Sequence, residues 1–222
     1  MPKAVFWVLA VLGPAVPPAC AGYLYQSATL GPTGVTTQEL LNQDVPGLNI
    51  FRDLVSGARF FLDRPSHITG VGGHFVTRGE DTPNPYLYAA VVSLDGQDDF
   101  PDSPQLDTDD VLSVALIETP EVSGDVYGDM SLHVPPGWYA VVYGTNRFGA
   151  EGSGMAVRNG VSEDFPFIRL SPSAEWVVHF PFLDNMRFVV RGIAVPEPTT
   201  LVATSVAILA LSANVRLRNR VG

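Results

Sequence analysis

The stretch Met186-Arg187-Phe188-Val189-Val190-Arg191-Gly192-Ile193 decides how this chain folds. Phe188, Val190 and Gly192 fall on one face of an extended segment, and Arg187, Val189 and Arg191 fall on the other, which is the two-residue period of a strand with one buried side. Further back, the same period returns in Ala58 to Asp63, Ile68 to Val76, Leu87 to Leu94, Val111 to Thr119, Met130 to Val134, Trp138 to Thr145 and Trp176 to Phe182. Turn chemistry separates them: Asp63-Arg64-Pro65-Ser66, Pro83-Asn84-Pro85, Pro135-Pro136-Gly137 and Ser171-Pro172-Ser173. Eight or more short strands joined this way predict an all-β chain, an antiparallel β-sandwich of jelly-roll type. Tyr23 to Leu30 adds a first, edge strand. The helical candidates inside the domain are short, Thr37 to Asn42 or, less favoured, Phe51 to Val55. No internal repeat recurs at a fixed period, which argues against solenoids and propellers.

Downstream of the deciding stretch the composition changes. Pro196 and Pro198 donate no backbone N–H and push the residues before them toward extended conformations, so the strand stops there. Thr199 or Thr200 can cap a helix over the uncharged run Leu201 to Val215, and Arg216, Arg218 and Arg220 follow. That run of fifteen residues would extend about 22 Å, short of the ~30 Å of a hydrocarbon core. Leu217 and the snorkelling stem of Arg216 make up part of the difference. A run of this length also suits a short buried helix, but the basic end suits a cytoplasmic terminus and favours a membrane stop.

Val195-Pro196-Glu197-Pro198-Thr199, an apolar stretch and a basic tail, in that order, resemble the PEP-CTERM sorting signal of Gram-negative bacteria. The resemblance implies recognition by an exosortase, a membrane cysteine-type transpeptidase, and an exported product, often in bacteria that make exopolysaccharide or biofilm. It assigns Val195, Pro196, Glu197 and Pro198 to the sorting motif and Arg216, Arg218 and Arg220 to the membrane stop. A vaguer likeness to the extracellular part of such proteins runs from Gly124-Asp125 through Pro136-Gly137-Trp138-Tyr139-Ala140 to Phe148-Gly149-Ala150; it names no activity.

The other end reads as an export signal. Met1-Pro2-Lys3 is a minimal positive start, Ala4 to Leu12 is apolar, and Ala19-Cys20-Ala21 is a small-x-small cleavage site. Cys20 as an acylated residue is the rival reading, and Pro17, three places earlier, disfavours it. Cleavage after Ala21 would remove the single cysteine, so the mature chain would have neither disulfide nor thiol. The expected divisions are a signal peptide at 1–21, an exported domain at 22–193, the sorting motif at 194–200, a transmembrane helix at 201–215 and a basic tail at 216–222. The chain as a whole carries −10, and residues 22–193 hold twenty-two acids against nine arginines and no lysine, a balance of −13. That charge disfavours nucleic acid and anionic membrane surfaces as partners and leaves cations, neutral sugars or simple solubility.

Candidate chemistry is sparse. Seven aspartates crowd into the sixteen residues from Asp95 to Asp110. They could supply the oxygens Ca²⁺ needs, with Asp95, Asp98, Asp99, Asp109 and Asp110 as ligands, but the spacing is not that of an EF-hand and a solvated, self-repelling loop is the weightier reading. No other cofactor is expected. His67, His74, His133 and His179 lack metal-ligand spacing. Gly72 and Gly73 before His74 read as a strand bulge. Gly152-Ser153-Gly154 lacks the context of a nucleophile elbow and reads as a flexible loop. Catalysis is not expected. If Trp138 fills the core, Tyr139 and Tyr143 stand outward, as a platform for carbohydrate or, the weightier reading, as an ordinary strand surface. The function these readings converge on is an exported surface or matrix protein delivered by an exosortase, with carbohydrate-binding or calcium-dependent adhesion as the alternative.

Overall fold

Fourteen strands form among the described residues, in chain order: β1 (Gly22–Gln26), β2 (Ala28–Leu30), β3 (Gly47–Ile50), β4 (Val55–Leu62), β5 (Ser66–Thr77), β6 (Tyr86–Leu94), β7 (Val111–Glu118), β8 (Gly124–Val134), β9 (Gly137–Gly144), β10 (Gly154–Val157), β11 (Gly160–Ser162), β12 (Phe167–Arg169), β13 (Val177–Val178) and β14 (Phe188–Ala194). They come from a computed structural model that describes residues 22–30, 47–50, 54–78, 83–157, 160–162, 167–169, 175–178 and 186–195. The expected signal peptide, the helix candidate Thr37 to Asn42, His179 and everything from Pro196 onward lie outside the described residues. Among the described residues there is no helix, and so none long and apolar enough to cross a membrane. Val55, the end of the second helix candidate, opens β4 instead.

All pairings are antiparallel. One sheet runs β1-β14-β5, with β8 on the far side of β5; β10, flanked by β3, pairs with the C-terminal end of β5 beside β14. The other runs β13-β12-β4-β9-β6-β7, and β2 pairs with β11 separately. Between the two large sheets, Ala58, Phe60 and Leu62 of β4, Leu87, Ala89 and Val91 of β6, and Tyr139, Val141 and Tyr143 of β9 meet Ile68, Val71 and Phe75 of β5 and Phe188 and Val190 of β14. Phe60, Phe75 and Phe188 are wholly enclosed, and burial of each contributes roughly 2–3 kcal/mol. Sheet crosses sheet at Gly128, where a Cβ would stand 2.6 Å from the Leu116 carbonyl oxygen.

A second core lies on the opposite face of β4, β9 and β6. Val55, Tyr88, Ala90, Val92, Leu94, Ala140 and Val142 are roofed there by Leu106, Ala150, Phe100 and Trp176. The acidic segment after β6 is therefore a cover rather than a free loop. Leu106 is 3 % exposed and adopts φ 54°, a left-handed backbone costly for a bulky residue, so its side chain holds the segment down. Leu106→Ala is expected to lower stability by about 2–3 kcal/mol, measured as a drop in thermal midpoint, because alanine loses the contact without relieving the strain.

Three sequence expectations need correction. The segment expected at Met130 to Val134 begins six residues earlier, at Gly124. The bulge in β5 falls between Ile68 and Gly70, not at Gly72-Gly73. Gly152-Ser153-Gly154 is not a loose loop: Gly152 N–H donates to the Tyr86 carbonyl at 2.8 Å, Ser153 is buried and Gly154 opens β10.

Candidate functional site

On the outer face of β4, Arg59 and Phe61 project on the side opposite Phe60. Phe61 is registered against Trp138 of β9. The two rings lie 5.2 Å apart at 46°, and Phe61 remains 52 % exposed. The Arg59 guanidinium sits 5.1 Å above the Phe100 ring and donates to the Asp99 carbonyl at 3.4 Å. Phe100 also stacks with Trp176 at 6.5 Å. These contacts fix the start of the acidic segment, and with it Gln97 and Asp98, beside the two aromatic rings. The result is a groove of about 390 Å³ whose walls are Arg59, Phe61, Gln97, Asp98, Trp138 and Val178, and which reaches round the β4 edge to Tyr25 and Phe60 of the inner core. Chemically it can stack an apolar ring face and exchange hydrogen bonds with hydroxyl groups along one wall.

Trp138 and Tyr139 exchange the places expected of them. Tyr139 is 4 % exposed and Tyr143 is fully buried, so neither can meet a carbohydrate. Tyr139 donates to the Pro135 carbonyl at 2.8 Å, and Tyr143 donates to the Gly72 carbonyl. Burial pushes both phenols above their ordinary pKa. Trp138, Ala140 and Val142 form the outer row.

Three of the seven aspartates are engaged within the segment itself. Asp99 Oδ2 accepts from the Asp95 N–H at 2.7 Å, Asp110 Oδ2 accepts from the Asp102 N–H at 2.9 Å, and Asp107 accepts from the Ser103 hydroxyl. Asp98 and Asp109 are exposed. Among the described residues no three His, Cys, Asp or Glu side chains gather as a metal site.

A polar cluster that sequence inspection missed crosses the first sheet. His74 (β5), Asp125 and Tyr127 (β8), Arg187 (just before β14) and Tyr23 and Gln26 (β1) meet on its outer face. His74 Nδ1 lies 3.0 Å from Asp125 Oδ1; because an ionised carboxylate only accepts, Nδ1 carries the proton. Arg187 Nε donates to Asp125 Oδ2 at 3.1 Å, and Nη1 donates to Gln26 Oε1 at 2.6 Å and the Ala28 carbonyl at 2.9 Å. Tyr127 donates to Asp125 at 3.2 Å. Burial pulls the Asp125 carboxyl upward, but the His74 hydrogen bond and the Arg187 charge outweigh it and hold the group below the ordinary carboxylate range. Burial, then the hydrogen bond with Tyr23, raises the Tyr127 phenol. With His74 1 % exposed, the cluster ties four strands together instead of presenting a base to solvent. The other cross-strand histidine contact, His67 against His133, stacks at 4.1 Å and 5°.

The first and last described strands converge. Gly22, the first residue of β1, pairs with Gly192 near the close of β14, and Val195 N–H then donates to the Pro65 carbonyl at 2.8 Å. Ser27 fastens the opposite end of the β1–β14 pair: its hydroxyl donates to the Met186 carbonyl at 2.7 Å and accepts from Phe188 N–H at 2.8 Å. No family model matches the chain, and no curated protein matches it.

Proposed function

We propose that this chain is an exported bacterial surface or extracellular-matrix protein, delivered through the inner membrane and processed by an exosortase at Val195-Pro196-Glu197-Pro198. The observation that best supports this is the Gly22–Gly192 pair. It brings the end of the expected signal peptide and the start of the expected sorting motif to the same corner of one sheet. Two membrane-directed segments, each with its basic residues on the cytoplasmic side, would thus leave a folded domain toward the same surface. Arg216, Arg218 and Arg220 would stay inside while the proline motif meets the transpeptidase outside. The domain itself reads as a jelly roll, since β1-β14-β5-β8 and β4-β9-β6-β7 run in the strand order of two interlocked Greek keys. Its role is structural or adhesive, not catalytic.

Mass spectrometry of the protein recovered outside the cell tests this. The expected mature chain begins at Gly22 and has lost Leu201 to Gly222; a species retaining Gly222 in cells with an active exosortase would count against the proposal. The Phe61–Trp138 groove favours one second reading, a carbohydrate-binding module.

A further inference from the structure

We infer that the groove between β4, β9 and the acidic segment binds a neutral polysaccharide chain, with Phe61 and Trp138 as its stacking platform and Gln97, Asp98 and Arg59 as its hydroxyl contacts. This rests on the groove alone and holds whether or not residues 194–222 are a sorting signal.

Three features specify the ligand. First, Phe61 keeps 52 % of its surface exposed beside Trp138. An apolar pair held in a concave wall, and not scattered singly, marks a contact surface. Second, the Gln97 amide and the Asp98 carboxylate have no hydrogen-bond partner among the described residues and border the same space. A planar amide and a carboxylate beside aromatic faces match a pyranose, whose axial C–H groups are apolar and whose rim is hydroxylated. Third, the groove holds one carboxylate and one guanidinium, so its lining is close to neutral. The balance of −13 over residues 22–193 repels polyanions.

Affinity electrophoresis of the full-length protein in non-ionic detergent tests this, with gels containing galactomannan, mixed-linkage β-glucan, dextran or xylan, and alginate as the anionic comparison. At least one neutral polymer is expected to retard the protein, and Phe61→Ala and Asp98→Asn should each weaken retardation about tenfold. Both side chains are exposed, so neither variant threatens folding. The inference is overturned if no neutral polymer retards the protein, if alginate alone does, or if both variants are retarded like the parent. A change confined to self-association in Phe61→Ala would also overturn it, since the rings would then be a contact between copies of the chain.

Discussion

Gly72→Ala is expected to destabilise the protein by about 3–5 kcal/mol, at the upper end for overpacking. A Cβ at Gly72 would stand 2.0 Å from the Val126 carbonyl oxygen and 2.9 Å from the Tyr127 Cα. Those are backbone atoms of β8, with no flexible tip to swing aside. To admit one methyl group, β5 must move away from β8 along the pairing that holds this side of the first sheet. The shift also carries the Gly72 carbonyl away from Tyr143, whose hydroxyl is buried on the other side of the core and donates to it. Weakening that bond adds a further cost of about 0.5–1.5 kcal/mol. Urea denaturation followed by the fluorescence of Trp138 and Trp176 would read the loss as a lowered midpoint. A midpoint unchanged from the parent would mean that the two strands are not held at this separation.

The second large effect is expected at Arg187. Arg187→Met preserves length and apolar stem but leaves the Asp125 charge facing His74 and Tyr127 without its cation. Removing one member of a buried pair costs about 3–5 kcal/mol. Because the Asp125 side chain is 23 % exposed, water relieves part of that, and about 2–3 kcal/mol is expected. Adding Asp125→Asn should recover much of it, so the double-mutant cycle is strongly non-additive. The sign of the pH dependence follows from the depressed Asp125 carboxyl. Its contribution is complete above the unfolded carboxylate value of about 3.9. It falls as the pH drops below that value, and is gone once the pH has passed the lower folded value. Stability measured between about pH 5 and about pH 2 should therefore decline less steeply in Asp125→Asn than in the parent. An identical slope would show that the carboxylate's charge is not what binds the cluster.

Period-two patterning made the strands of the core legible, and β14 was readable residue by residue because its two faces differ in chemistry. The same rule failed at β9 for a physical reason. Alternation sorts Trp138, Ala140 and Val142 from Tyr139, Val141 and Tyr143, but both rows are apolar, so nothing local says which row faces the other sheet. Both rows are covered because the acidic segment folds back as a second roof. Its composition suggested a solvated loop, whereas Phe100 and Leu106, two large apolar residues among seven aspartates, were the signal that it had something to cover. The His74–Asp125–Arg187 cluster was invisible for another reason. Its contacts span 51 to 161 positions of sequence, and only the register of β1, β14, β5 and β8 brings them together.

The corner joining Gly22 to Gly192 also sets the order of events in folding. Strand β14 lies between β1 and β5, so the sheet has a gap until residues 188–194 arrive, more than 160 positions after β1. Contacts this distant in sequence form late and slowly. A chain threaded through a narrow pore from its N-terminus would stay pliable for nearly the whole passage, and would lock only when Phe188 and Val190 emerge to fill the vacancy.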